Sequence, residues 1–383
     1  MTIILSIYIF ICIMLVFFDI LFIVIKNNRM SRFIPKFDGF RKEVQESFFN
    51  YNPKKGLNPI FKKKLTQHIS KVKHLVTMQS VYDEVELYKE ELGIELSGIV
   101  IEFIEVYKKK SLYEQAYYAY VISSYEYPKT PRGQFIIELM SFLDSHSLYV
   151  FSNTMNAFYN FNNVTTLLNA IDKCNERGVF YNSKLFVDGL LTFRGDKNEL
   201  ADKLIERFDK YTPYMQENII NFLRLASLKK SDFCYRVLVN QTYSEEVQFA
   251  IMRYFGKYPN HESKQYFLDI LNQQESSWVK VLLSIQSLEK YKTPDVFQTI
   301  KTKITDVNWF VRTSAVKYLY THNMSKEELD EILRMNDKYT NEALLYQCQD
   351  DEDIMRYVMS EIDKLSLESQ DMIDLDKGDT VNV

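Results

Sequence analysis

Met215, Val247, Val279 and Val311 stand at intervals of 32 residues, and each opens a stretch with the same apolar spacing. Four positions on come Ile219, Ile251, Leu283 and Ala315. Eight on come Leu223, Phe255, Ser287 and Leu319, with Leu288 beside the one polar exception. At about 100° per residue, offsets 0, +4 and +8 fall within roughly 80° of one another, so each stretch predicts a helix with one buried face. The frame extends backwards through Ser183, Val187 and Leu191, then Phe151, Met155 and Tyr159. Leu204, Leu268, Ile300 and Ile332 mark a preceding helix at the same period, with Arg236 breaking the row. One such pair cannot enclose a core, so pairs repeated at fixed spacing bury their faces on their neighbours. The pattern therefore predicts an all-α chain built as an α-solenoid. Only 10 Gly and 8 Pro occur, too few for a turn-rich β-sandwich. Breaks at Tyr127-Pro128, Thr130-Pro131, Arg177-Gly178, Arg194-Gly195, Thr212-Pro213, Tyr258-Pro259 and Thr293-Pro294 separate the helices.

The segment Asp306-Val307-Asn308-Trp309-Phe310-Val311-Arg312-Thr313-Ser314-Ala315-Val316-Lys317-Tyr318-Leu319 resembles the second helix of a HEAT repeat in its Asp, Val-Arg, Ala and Leu. Earlier units keep the apolar positions but put Gln216, Gln248 or Lys280 where Arg312 stands, and the period is shorter than the commonest HEAT length. The resemblance is clearest from about Val164 to Gln347 and extends back to about Leu65. It implies a right-handed, armadillo-like solenoid of degenerate helix pairs over 65–365, whose second helices line a concave surface. TPR repeats have a similar period, but their Pro pattern is not traceable here.

Ile3 to Ile25 is an apolar run broken by Ser6 and Asp19. At 1.5 Å per residue it would span about 34 Å, against a hydrocarbon core of about 30 Å. The competing reading, a signal peptide, needs a basic start and an Ala-x-Ala-like cleavage site, and neither is present. A transmembrane anchor over 1–25 is the expectation. Lys26, Arg29, Arg32, Lys36, Arg41 and Lys42 follow the run, and no basic side chain precedes it. The positive-inside rule then puts the N-terminus outside and the rest in the cytoplasm, as a single-pass protein of an inner or plasma membrane. The basic stretch 26–64 reads as a juxtamembrane connector, whose Lys26, Arg29, Arg32 and Lys36 either hold anionic lipid headgroups or only set topology. Asp19 either meets a partner transmembrane helix or lies hydrated near the interface. At the other end, 366–383 carries five acids against one Lys and reads as a disordered tail.

Chemistry is sparse. No P-loop, GxGxxG, GxSxG, HExxH or EF-hand loop occurs. Five His and four Cys (Cys12, Cys174, Cys234 and Cys348) are scattered, so no metal, cofactor or disulfide framework is expected. The net charge of −4 argues against a nucleic-acid partner. The tyrosines from Tyr113 to Tyr127 read as core packing or as a stacking site. With 0, +4 and +8 buried, offsets +2, +6 and +9 face outwards. They are Glu217, Asn221 and Arg224; Phe249, Arg253 and Gly256; Val281, Ile285 and Leu288; and Thr313, Lys317 and Tyr320. Asn221, Arg224, Phe249, Arg253, Ile285, Lys317 and Tyr320 form the expected partner-binding groove. Its apolar and basic mixture suits a protein ligand.

The expected function is a non-enzymatic scaffold or accessory subunit holding a partner protein at the membrane, with envelope polysaccharide synthesis as one conceivable client. The alternatives are a signalling module that reads a nucleotide or lipid headgroup through Arg224, Arg253 and Lys317, and an enzyme on a HEAT-like frame, similar to the HEAT-fold DNA glycosylases. Abundant Tyr, Phe, Ile, Lys and Asn match an AT-rich coding sequence and point to a bacterial source.

Overall fold

The computed structural model describes residues 10–23, 38–127, 133–178, 182–240, 242–273, 275–322 and 324–378. Among these, every regular element is a helix, and the extended backbone pairs only in a single bridge between Tyr127 and Phe161. The all-α expectation therefore holds. The chain divides into two compact units, Met1–Leu204 and Ile205–Val383.

The N-terminal helix α1 (10–23) exposes large apolar side chains on all sides, among them Phe10, Leu15, Phe18 and Phe22. Its described residues rise about 20 Å at 1.5 Å per residue. Among the described residues no helix is long and apolar enough to cross a membrane. This overturns the expected transmembrane anchor over 1–25, and with it the single-pass membrane localisation; Asp19 lies exposed on α1. Lys26, Arg29, Arg32 and Lys36 lie outside the described residues.

In the N-terminal unit, α2 (Asp38–Phe49), α3 (Pro59–His68) and α4 (Val72–Asp83) belong to the folded body. The stretch expected to be a connector is thus largely part of the unit. Val44 and Phe48 of α2 are buried, α2 packs on α4, Arg41 pairs with Glu84 at 2.5 Å, and Lys64 of α3 pairs with Glu43 at 2.6 Å. The basic residues were legible, but their partners on other helices were not. After α5 (Lys89–Val100) and α6 (Ile104–Lys108), α4 packs on α7 (Leu112–Ser123), α7 on α9 (Leu148–Asn160), and α9 on α11 (Ser183–Thr192). Helices α8 (Gly133–Phe142) and α10 (Val164–Arg177) pack against α9. Buried tyrosines tie these layers, because a phenol taken out of water needs an acceptor. The Tyr107 and Tyr118 rings stack at 4.4 Å; Tyr107 donates to the Ile69 carbonyl at 2.7 Å and Tyr118 to that of Val100 at 2.8 Å. Gly189 lets α11 approach α9, since any Cβ there would overlap the buried Tyr159 ring.

Where α2 meets α4, the Phe40 ring lies 4.9 Å from His74, and His74 lies 4.8 Å edge-on to His68. His74 is buried, and that burial lowers it from its ordinary value, with the charges of His68, Lys73 and Lys71 adding to the effect and a contact to the His68 carbonyl opposing it. The unfolded chain therefore binds more protons than the folded one below pH 6.5. The stability His74 supports is complete above about pH 6.5 and is lost as pH falls through the lower folded value. Hydrogen-exchange protection across α2 and α4, taken relative to the intrinsic rate at each pH, should fall as pH drops below about 6.5, and His74→Phe should flatten that dependence.

Helix α12 (Lys197–Glu206) spans the boundary between the two units. In the C-terminal unit, α13 (Pro213–Leu225), α15 (Glu245–Lys257), α17 (Trp278–Ser287), α19 (Trp309–Thr321) and α21 (Lys338–Gln347) pack in succession, each on the next. Helices α14 (Ser231–Val239), α16 (His261–Asn272) and α18 (Pro294–Lys301) back α15, α17 and α19 respectively. A repeated contact links the ends of the front row. Lys257 donates to the Arg224 carbonyl at 2.7 Å, Lys290 to that of Lys257 at 2.8 Å, and His322 Nε2 lies 2.8 Å from that of Glu289. Each cation or ring N–H satisfies a carbonyl that its neighbour's last turn leaves unpaired. Beyond α20 (Lys326–Arg334), α22 is continuous from Glu352 to Gly378. Helix α22 thus enters the stretch expected as a disordered tail from 366, and neither Gly nor Pro occurs in it before Gly378.

Candidate functional site

The face that each front-row helix presents is set by its first turn. Thr212, Ser244, Ser277, Asn308 and Asp337 are the N-caps of α13, α15, α17, α19 and α21, each accepting a hydrogen bond from the amide three residues on. Their intervals are 32, 33, 31 and 29 residues. The strict 32-residue frame is therefore one residue out of step in α17. Counted from the capped amides, offsets +4 and +8 are Ile219 and Leu223, Ile251 and Phe255, Ser284 and Leu288, Ala315 and Leu319, and Leu344 and Cys348, all of them buried.

This shift corrects the expected groove. Val281, Ile285 and Leu288 are 5%, 1% and 0% exposed: they face the core, and the outward row of α17 is Leu282, Gln286 and Glu289. The other helices keep their expected orientation. Phe249, Asn221 and Arg224 are half-buried on the outward side, and Arg253 and Lys317 are exposed. Tyr320 is half-buried and turns into a separate cavity with Leu344, Cys348 and Val358.

The outward faces of α17, α19 and α21 enclose a cleft of about 520 Å³. Leu282 and Ile285 contribute its apolar lining; Trp309, Phe310 and Tyr346 supply aromatic walls; and Gln286, Glu289, Thr313, Lys317 and Gln347 supply polar groups. Phe310 and Tyr346 are about 60% exposed, unusually open for large aromatic side chains. Trp278 stacks on Phe310 with centroids 6.0 Å apart, so the chain's two tryptophans stand at the starts of successive front-row helices. Thr313 lines the cleft with its hydroxyl oxygen buried, and that oxygen has no hydrogen-bond partner among the described residues. Lys317 is the one cation in the lining and Glu289 the one carboxylate.

The structure thus brings Ile285 and Lys317 into one cleft, with Ile285 contributing from the buried side. Phe249, Arg253, Asn221 and Arg224 lie on α15 and α13 and do not line it. There, burial raises the Glu217 carboxyl against the pull of Arg253. Burial first, and then the like charge of Arg253, disfavour the charged form of Arg224. The sequence reading missed Trp309, Phe310, Gln286 and Tyr346. The capping residue three positions before each capped amide, Ser277, Asn308 or Asp337 for these helices, was the available signal.

Among the described residues no group of three or more His, Cys, Asp or Glu side chains could hold a metal ion. Burial pushes the Cys174 thiol up to about 12 and raises Cys234 as well, the opposite of what a nucleophilic thiolate needs. No family model matches the chain, and neither a curated protein nor a solved structure matches it.

Proposed function

We propose that this protein is an interaction scaffold of degenerate HEAT-like helix pairs, and that the cleft over α17, α19 and α21 receives an extended segment of a partner protein. The observation that carries the reading is the exposed aromatic wall of Trp309, Phe310 and Tyr346 beside amide, hydroxyl and single charged groups. Aromatic anchors with a polar rim are the composition of protein interfaces. The HEAT-like assignment is supported by the near-regular N-caps and by Arg312, which is buried at the position where the HEAT resemblance expects it. A nucleotide or lipid headgroup is less suited to the cleft, because a phosphate favours convergent cations and Lys317 stands there alone beside Glu289.

The test is capture of partner proteins from cells of the source organism by the full chain, with chemical cross-linking and identification of the captured protein. Phe310→Ala with Lys317→Glu should reduce capture at least about tenfold, since truncating one central anchor typically costs 2 kcal/mol or more. Both side chains are exposed, so the helical signal and melting temperature should stay within error. Phe249→Ala with Arg253→Glu should leave capture intact. The reverse outcome would move the site to α13 and α15.

A further inference from the structure

The N-terminal unit carries a second cleft of different chemistry, about 420 Å³ in volume, between α7 and α9. Tyr113, Tyr117 and Tyr120 line it from α7 and Tyr149 from α9, with Ser147 and Asn153 as the polar remainder and no charged side chain. Asn153 donates to the Ala116 carbonyl at 2.9 Å and so ties the two walls together. Tyr113, Tyr120 and Tyr149 are 54%, 40% and 76% exposed, whereas the neighbouring Tyr118 and Tyr125 are fully buried. The tyrosine-rich segment therefore serves both as core and as an open surface.

We propose that this cleft binds a proline-rich segment in the polyproline II conformation. Three matches support that occupant. The first is geometric. Tyr113, Tyr117 and Tyr120 follow one another at i, i+4 and i+7 on a single helix face, and span about 10 Å along the axis. A polyproline II helix repeats every three residues at about 3.1 Å each, roughly 9 Å per turn, so the three rings together form a platform about one turn long. The second is hydrogen bonding. A proline-rich backbone has carbonyl acceptors and few N–H donors, and its carbonyls make no internal bonds. The lining offers phenol and hydroxyl donors and no carboxylate. The Tyr117 hydroxyl, like the other phenols, is protonated at neutral pH and can donate. The third is charge. A neutral lining favours neither an acidic nor a basic ligand, whereas aromatic rings pack well on the flat faces of pyrrolidine rings. The inference concerns a different unit and different residues from the scaffold reading above, and stands or falls independently of it.

The experiment is a titration of the full chain with a ten-residue polyproline peptide, read by chemical shift changes of ring-labelled tyrosines. A Gly/Ser peptide of equal length and maltohexaose serve as comparisons. Saturable binding of polyproline is expected, with the Gly/Ser peptide at least about tenfold weaker. Tyr149→Ala and Tyr120→Ala should each weaken binding about tenfold, and Tyr120→Phe, which removes only the hydroxyl, by a smaller factor. Tyr149 is so exposed that its truncation leaves the fold intact, so loss of binding in that variant reports on the site itself. Equal binding of polyproline and the Gly/Ser peptide, undiminished binding by Tyr149→Ala and Tyr120→Ala, or saturation by maltohexaose with none by polyproline would overturn the proposal.

Discussion

Replacing Ile285 by Ala is expected to destabilise the C-terminal unit by about 2–5 kcal/mol, while Gln286→Ala, one residue on, changes stability by less than about 0.5 kcal/mol. Ile285 is 1% exposed and Gln286 exposed. An even 32-residue frame gives a different expectation, with Ile285 facing outwards at +6. The N-cap Ser277, 33 residues after Ser244, moves the frame on by one. One residue turns a helix by about 100°, enough to exchange a core position for a surface one. Each front-row helix packs on both its neighbours, so the loss should spread into α15 and α19. Hydrogen exchange resolved by residue would show this as faster opening in both helices. A small effect of Ile285→Ala together with a large one of Gln286→Ala would restore the even frame.

The second large effect concerns Asp337, which serves two ends at once. Its carboxylate caps α21 by accepting from the Thr340 amide at 2.7 Å and the Thr340 hydroxyl at 2.6 Å. It also faces Arg312 Nη1 at 3.7 Å. Arg312 is buried, lies over the Tyr339 ring at 5.1 Å, and reaches the Thr305 carbonyl at 3.4 Å. Asp337→Ala removes a cap and strands a buried guanidinium, at an expected cost of about 2–4 kcal/mol, because Asp337 itself keeps some contact with water. Asp337→Asn retains the cap and loses only the charge, so it should recover about 1 kcal/mol of that cost. The hydrogen bonds from Thr340 pull the Asp337 carboxyl below its ordinary value; burial opposes them and Arg312 assists. The carboxyl's folded value lies below 3.8, so its contribution is present above that pH and is lost as pH falls through the folded value. Chemical denaturation of the three proteins at neutral pH, and of the parent across the acid range, measures both effects.

Capping residues explain how much of the candidate site was legible. The apolar frame of α13, α15 and α19 was readable because burial selects side chains by type at a 3.6-residue period. Lys317 and Arg253 were accordingly found on the outward side. Helix α17 misled because Val279 and Leu283 continue the even 32-residue apolar frame, one position away from the frame that Ser277 establishes. Trp309, Phe310 and Tyr346 went unrecognised because a large aromatic side chain reads as core unless its position relative to a cap is known.

From its sequence alone, the protein's helical class and its repeating helix pairs were determined, because both follow from local periodicity and chain breaks. The apolar character of 3–25 was equally plain, yet among the described residues no helix is long and apolar enough to cross a membrane. Tertiary structure alone decided that 38–64 packs into the N-terminal unit. It decided too that Arg312 meets a carboxylate 25 positions away, and that residues of α17, α19 and α21 share one cleft. Those facts depend on pairing between helices, which is set by which side chains fill a common space and leaves no signature within any single helix.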